Sequence, residues 1–348
     1  MITGASGYLG SWVAREFLAE GWQVLGTVRD RNNQDKVGHL REVERTLPGT
    51  LELVEADLLG DGDFDAVAKR VAVVVHTASP FAVGKVHNPE NELVKPAVEG
   101  TRNVLRSAGR SDTVKRVVLT SSVVAIHGDA ADIERTEKGY FHEGHWNKTS
   151  SLKHQPYNFS KVEAERAAWS LAEETSWDLV VINPGFILGP SLSRRVDATS
   201  VTLLRRLLAG EFSTGVPGLS FGVVDVREVA RAHFEAAVRE QVYGRHIVVS
   251  TQASLLEFAQ TVDRLYPGMH PVPQKEVPKW LLYLLAPKLE LSWRYIRRNV
   301  GIPLRYDNRK SKEALALFYR PLEETLEDHR DQLVADGLVP VREVTGSE

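Results

Sequence analysis

Thr3-Gly4-Ala5-Ser6-Gly7-Tyr8-Leu9-Gly10 follows the two apolar residues Met1 and Ile2. Its glycines recur every third residue, which marks a strand that turns tightly into a helix packed close against the turn. Downstream, residues 22–28, 51–55, 71–76, 115–121 and 178–183 are short β-branched or aliphatic runs and predict strands. The stretches 8–20, 34–46, 91–109, 155–175, 198–209 and 254–265 predict helices. Strand and helix alternating in this way predict a doubly wound α/β fold, a parallel sheet with helices on both faces. From about residue 186 the pattern loosens into segments punctuated by Pro and Gly, as expected of a smaller substrate lobe.

A helix that starts on such a turn aims its unsatisfied N–H groups at the space before it, and the glycines let a pyrophosphate approach the backbone. That is the Rossmann arrangement for a dinucleotide. The second predicted strand ends in Thr27-Val28-Arg29-Asp30. A carboxylate in that place accepts from a ribose 2'-hydroxyl and favours NAD, whereas the cation of Arg29 matches a 2'-phosphate. NADP is therefore the expected cofactor and NAD the alternative, with the neighbouring Asp30 acting against the preference.

Tyr157-Asn158-Phe159-Ser160-Lys161 places a phenol and an ammonium four residues apart on one face of a predicted helix. The cation favours the ionised phenol, the property required of a general acid or base. Upstream, Thr120-Ser121-Ser122 ends a predicted strand. Successive strand residues point to opposite faces, so one serine of the pair is expected to face the site and the other to serve strand-end hydrogen bonding.

The 348 residues are 43% hydrophobic, enough for a sizeable core, and 43 Lys and Arg against 46 Asp and Glu leave a formal charge of -3. No basic field points to nucleic acid. Cysteine is absent, which excludes disulfides, thiol nucleophiles and Cys-ligated zinc. The longest apolar stretch, Trp280 to Ala286, is far shorter than a membrane span and is read as a buried helix. Without a signal peptide ahead of the glycine run, cytoplasmic residence is expected. His142-Glu143-Gly144-His145 is not read as a metal site: zinc proteases space the pair as His-Glu-x-x-His on a helix, and no third ligand is evident.

These segments together resemble the extended short-chain dehydrogenase/reductase family, and within it the branch of dihydroflavonol reductases, cinnamoyl-CoA reductases and related aldehyde and ketone reductases. The resemblance rests on Gly4 to Gly10, Thr27 to Asp30, Ala56-Asp57-Leu58, Val75 to Pro80, Val98 to Thr101, Leu119 to Ser122, Tyr157 to Lys161, Asn183-Pro184-Gly185 and Val224 to Arg227, in family order. Asp307-Asn308 through Glu323 resembles the family's tail. It implies NADPH-dependent reduction of an aldehyde or ketone, with Tyr157 giving the proton, Lys161 steadying the phenol and the nicotinamide ribose, and Ser122, chosen over Ser121 for its spacing to Tyr157, bonding the carbonyl oxygen. The implied cofactor contacts are Gly4, Ser6, Gly7, Tyr8, Leu9, Gly10, Arg29, Lys36, Asp57, Leu58, Thr77, Ala78, Tyr157, Lys161, Pro184 and Gly185. Phe81, His127, Phe186, Ile187 and Phe221 are the expected substrate-pocket residues.

By the same resemblance, residues 1–185 with returning segments near 222–252 form the cofactor domain, and 186–221 with 253–340 form the substrate lobe. The Asp225-Val226-Arg227 segment with His233 is expected to tie the two together. A small-molecule carbonyl substrate and a monomer or homodimer are expected. The family's first strand carries five or six apolar residues before the Thr-Gly, and this chain has two; the expectation is a first strand cut short, from an incomplete or displaced start. Two alternatives remain: an NAD-dependent sugar-nucleotide epimerase or dehydratase or a 3β-hydroxysteroid-type dehydrogenase using the same Ser-Tyr-Lys set, and a non-enzymatic cofactor-binding regulator or inactive fragment. Arg29 weighs against the epimerase, and the intact Ser122, Tyr157 and Lys161 weigh against the regulator.

Overall fold

The computed structural model of the chain describes residues 1–79 and 86–341. Ten strands are present among them: β1 (Ile2–Thr3), β2 (Gln23–Val28), β3 (Thr50–Glu55), β4 (Val73–His76), β5 (Arg116–Thr120), β6 (Asp178–Pro184), β7 (Phe186–Leu188), β8 (Ser220–Asp225), β9 (Gly244–Val248) and β10 (Thr251–Ser254). Seven of them form one sheet in the order β3-β2-β1-β4-β5-β6-β9. Every pairing in it is parallel. The predicted doubly wound sheet is thus observed, with β1 inside it between β2 and β4 and the order reversing between β1 and β4.

The helices are α1 (Tyr8–Ala19), α2 (Gln34–Arg45), α3 (Asp65–Ala68), α4 (Lys95–Gly109), α5 (Pro156–Ala172), α6 (Thr199–Leu208), α7 (Val226–Val238), α8 (Leu255–Leu265), α9 (Lys279–Leu285), α10 (Trp293–Asn299), α11 (Arg309–Ala314) and α12 (Leu322–Ala335). On one face of the sheet, Trp12, Phe17 and Leu18 of α1, Val37 and Leu40 of α2 and Val229 and Phe234 of α7 share a core with Val24 and Val75. The rings of Phe17 and Phe234 meet edge to face at 5.1 Å, a favoured aromatic geometry. On the other face, Phe64, Val104, Leu105, Ala168 and Trp177 pack against Val74, Val117 and Leu179. Parallel strands covered on both faces read as continuous apolar runs, which is why β4, β5 and β6 were legible from composition alone.

A second, three-stranded sheet runs β10-β8-β7. It carries its own core, built from Leu204 and Leu207 of α6, Phe258 and Val262 of α8, and Leu326 and Leu333 of α12. Ser254 and Glu257 close a capping box at the start of α8, satisfying two orphan N–H groups. Arg227, beside β8, bonds both Asp225 and Asp328 of α12, so this charged segment does join the start of α7 to the last helix.

One detail differs from expectation. The stretch from Trp280 to Ala286 buries only part of its surface: Leu282 and Ala286 are inside, while Trp280 is 65% and Leu284 70% exposed. An apolar run on a helix of about two turns buries a single stripe, and the rest stays outside. The first strand comprises two residues, Ile2 paired with Gly26 and Val75, and Thr3 paired with Thr27 and His76. Ahead of it, the terminal ammonium of Met1 donates to Val73 O at 2.7 Å, and burial lowers its pKa to about 5. Among the described residues no helix is long and apolar enough to cross a membrane.

Candidate active site

The glycine turn is built as its spacing predicts. Gly4 sits at φ +65°, a conformation open chiefly to glycine, and Gly7 N–H donates to Gly4 O at 2.9 Å. A Cβ on Gly10 would come within 2.2 Å of that same carbonyl, so α1 can start this close only with glycine there. The first intrahelical bond runs from Ser11 N–H to Gly7 O, which leaves the N–H groups of Tyr8, Leu9 and Gly10 without intrahelical partners. Gly7 offers no side-chain cap, and the first turn contains no acidic residue. This end of α1 fits a phosphate-bearing group.

The loop after β4 is stitched to the turn. Thr77 Oγ1 donates to Thr3 O at 2.6 Å, and Ala78 N–H donates to Thr3 Oγ1 at 3.2 Å. Thr3 Oγ1 also meets His76 Nδ1 at 2.7 Å. Burial, with the nearby Lys161 ammonium adding to it, lowers the His76 pKa to about 3, so this ring is neutral. Arg29 and Lys36 are exposed at the end of β2 and in the first turn of α2. Asp30 turns back to accept from Asn32 N–H at 2.9 Å, which engages its carboxylate locally. Asp57 accepts from Leu59 N–H, capping its own turn, and Leu58 lies against Gly100.

The predicted helix from 155 is α5, entered through Gln155 in a left-handed conformation at φ 54° and Pro156 in its first turn. Pro is preorganised for that place. Tyr157 is 43% exposed. The Lys161 ammonium lies 5.9 Å from the centre of the Tyr157 ring and donates to Ser79 Oγ at 3.2 Å. Ser122 follows β5 and caps the short turn Val123–Ala125, accepting from Val124 N–H. That turn packs on α5. Ser121 is buried and donates to Glu165 Oε2 at 2.5 Å.

Glu165 is a residue that sequence reasoning missed. It lies one turn beyond Lys161 on the same face of α5, a spacing that offered a signal. Its buried carboxylate accepts from Ser121, from Asn183 Nδ2 at 3.0 Å, from Trp169 Nε1 and from Arg245 Nε at 2.6 Å. Arg245 in turn donates to the carbonyls of Glu143 and His145 and stacks over Trp146, 4.0 Å from the ring centre. Nothing local in the sequence pairs residue 245 with residue 165. Asn183 also donates to Ser122 O at 3.1 Å, so one amide ties the serine loop to the Glu165 carboxylate. Gly185 is held by close packing, since a Cβ there would meet Gly222 O at 2.2 Å.

A second buried hub lies beneath the start of α5. Asp129 accepts from His154 Nε2 at 2.9 Å, Gln155 Nε2 at 2.6 Å, Asn299 Nδ2 at 2.8 Å and Arg298 Nε at 2.5 Å. Burial alone would push this carboxyl up, but the hydrogen bonds from Asn299, Arg298 and His154 prevail and hold it below its usual range. The hub joins α10 to the two residues that precede Pro156.

Of the expected pocket residues, Phe186 and Phe221 are brought together with ring centres 5.0 Å apart, partly buried on the core of the three-stranded sheet. Ile187 packs on the other core, under the main sheet. His127 is buried, stacked on Phe141 at 4.4 Å and bonded to Tyr306 at 2.7 Å; burial lowers its pKa to about 4. Phe81 lies outside the described residues. His142 and His145 stand 4.0 Å apart. Among the described residues no group of three or more His, Asp or Glu is arranged to hold a metal ion.

Residues 1–250 match the model of the NAD dependent epimerase/dehydratase family. Tetraketide alpha-pyrone reductase 1 of Arabidopsis thaliana is 37% identical over 341 residues, 97% of this chain and 95% of that protein. Cinnamoyl-CoA reductase CAD2 of Medicago truncatula is 37% identical over 79% of this chain and 82% of its own length. Among solved structures, the yeast methylglyoxal/isovaleraldehyde reductase complexed with NADPH superposes with a TM-score of 0.78 over 97% of this chain and 99% of that one, at 29% identity.

Proposed function

The chain belongs to the NAD dependent epimerase/dehydratase family, and from that premise we propose that it is an NADPH-dependent carbonyl reductase, converting a small or medium-sized aldehyde or ketone to the alcohol. The observation that carries the reading is the Lys161 ammonium standing 5.9 Å from the Tyr157 ring, with Ser122 at the head of a turn that packs on α5. Relatives named as reductases at 37% identity support it over an epimerase or a cofactor-binding regulator. So does the NADPH carried by the yeast neighbour, together with Arg29 and the local engagement of Asp30.

In this reading the free N–H groups of α1, with Gly4 to Gly10, hold the diphosphate, and Arg29 and Lys36 meet the 2'-phosphate. Asp57, Leu58, Thr77, Ala78, Pro184 and Gly185 line the rest of the cofactor's course. When bound, NADPH supplies the hydride. The protein's part is the proton and the geometry: Ser122 Oγ donates to the substrate's carbonyl oxygen, Tyr157 delivers its phenolic proton to that oxygen, and Lys161 steadies the phenolate left behind. Residues 1–185 with 222–252 act as the cofactor domain. Phe186, Phe221 and His127, on or beside the lobe formed by 186–221 and 253–340, shape the substrate side. Cytoplasmic residence and a monomer or homodimer complete the proposal.

The test is NADPH oxidation, followed by absorbance, against aldehydes, ketones, dihydroflavonols and acyl-CoA thioesters, comparing the wild type with Tyr157→Phe. Turnover by the wild type and near-complete loss in the variant supports the assignment. Tightly bound NAD with no turnover of free NADPH would move it to the epimerase class.

A further inference from the structure

Between β7 and α6 the chain crosses the first turns of α1. Tyr8 Oη donates to Gly189 O at 2.7 Å, and Trp12 Nε1, one turn along, donates to Pro190 O at 2.8 Å. Farther along this segment, Arg195 Nη1 donates to Ser6 O at 3.3 Å, a carbonyl of the glycine turn itself. Its Nε and Nη2 grip the carboxylate of Asp197, which fixes the plane of the guanidinium. His39 of α2 completes the setting: its Nε2 is buried without a partner among the described residues, and the Arg195 charge lies near enough to help burial hold that ring neutral.

A guanidinium carries five N–H donors in a fixed fork. Three are engaged with Ser6 and Asp197, and two remain, on a cation anchored beside the three unpartnered N–H groups of α1. We propose that Arg195, supplied by the segment that follows β7, is a cofactor-binding residue that grips the diphosphate of the dinucleotide from the side opposite α1. The assignment rests on the dinucleotide site described under Proposed function and adds to it a residue from outside the glycine turn. Arg195 thereby makes closure of the 189–198 segment over α1 part of nucleotide binding. Because the diphosphate is common to NADP and NAD, this contact tightens both, whereas Arg29 and Lys36 discriminate between them.

Dissociation constants for NADPH and for NADH, read from nucleotide fluorescence on the full chain, test this without any substrate. Arg195→Ala is expected to weaken both nucleotides by the same factor, roughly 10- to 100-fold, the loss that goes with a charge-assisted hydrogen-bonded pair. Arg195→Lys, which keeps the charge but not the fork, is expected to fall between the alanine variant and the wild type. Arg29→Ala is expected to weaken NADPH alone. Affinities within twofold of wild type in Arg195→Ala would overturn the assignment, as would a loss confined to NADPH, which would put Arg195 on the 2'-phosphate. If the alanine variant does not unfold cooperatively, the lysine variant decides by the same criterion. A wild type that binds neither nucleotide defeats the reductase reading itself; a wild type that binds while the Arg195 variants bind equally well defeats this inference alone.

Discussion

The side-chain amide of Asn183 donates both to Ser122 O, at 3.1 Å, and to Glu165 Oε2, at 3.0 Å. One buried NH2 group thus sets the distance between the end of β5 and the middle of α5, the two elements that carry Ser122 and the Tyr157–Lys161 pair. Replacing it by alanine leaves a carbonyl and a carboxylate oxygen each short of a donor, at a cost of about 1–3 kcal/mol. Asn183→Asp keeps the shape but puts a second carboxylate against Glu165, so at neutral pH it is expected to be less stable than Asn183→Ala and to recover as the pH falls. Urea unfolding of both variants at pH 7 and pH 5 checks the order; an aspartate variant more stable than the alanine one at pH 7 would contradict this account of the amide.

Two glycines in helices give opposite expectations for the same substitution. Gly10→Ala forces a methyl to within 2.2 Å of Gly4 O, a backbone atom that cannot rotate away, so α1 must shift off the turn. NADPH affinity is expected to fall at least tenfold, and stability by more than 2 kcal/mol, as for other overpacked sites. Gly38, inside α2, has nothing within 4 Å of a built Cβ. Gly38→Ala is expected to stabilise the chain by about 0.5–1 kcal/mol through the helix propensity of alanine. Thermal unfolding of the two variants side by side distinguishes a glycine needed for approach from one that is merely tolerated.

The pH dependence of stability follows from the buried histidines. Burial lowers the pKa of His127 and His233 to about 4 and that of His76, His246 and His329 to about 3. In the unfolded chain they titrate near 6.5. Between those values the unfolded state binds more protons than the folded one, so stability is complete above about pH 6.5 and declines as the pH falls toward 4. His233 shows how the neutral form is used: its Nδ1 donates to Val229 O, which leaves Nε2 to accept from the Thr120 hydroxyl. His233→Gln, which cannot acquire the charge, is expected to flatten the acid limb measured by urea midpoints between pH 7 and pH 4.5. An unchanged slope would count against this role.

The sheet was legible because its strands are buried on both faces and therefore announce themselves as unbroken apolar runs, as in Val73–His76 and Asp178–Pro184. The glycine turn was legible because close backbone approach leaves no substitute for glycine at Gly4 and Gly10. The supporting polar groups were not. Glu165 and Arg245 are 80 positions apart and look, singly, like surface charges; only the fold lays β9 beside β6 and drops the guanidinium onto the carboxylate. The short strands β7 and β10 escaped notice because three or four residues are too few to show a period. Trp280 and Leu284 misled because hydrophobicity reports what a side chain tolerates, not how much surface a seven-residue helix can bury.

The last prediction concerns Asp129, whose carboxylate lies under the entrance to α5. It accepts from His154 and Gln155 on one side and from Arg298 and Asn299 on the other. Gln155 holds the left-handed conformation from which the helix starts, two residues before Tyr157. Asp129→Ala removes the partner of Arg298 inside the fold, although Asp132 keeps a second contact at 2.7 Å, and is expected to cost about 3 kcal/mol. Asp129→Asn preserves shape and most hydrogen bonds while deleting the charge, and is expected to cost less, about 1 kcal/mol. Asp129→Ala releases the constraint on Gln155 without touching the nucleotide site. In a carbonyl reduction assay kcat is therefore expected to fall several-fold while NADPH affinity stays at its wild-type value, because the phenol of Tyr157 is misplaced and the diphosphate contacts are not. Equal losses in kcat and in NADPH affinity would show that the hub supports the whole domain, not the placement of Tyr157.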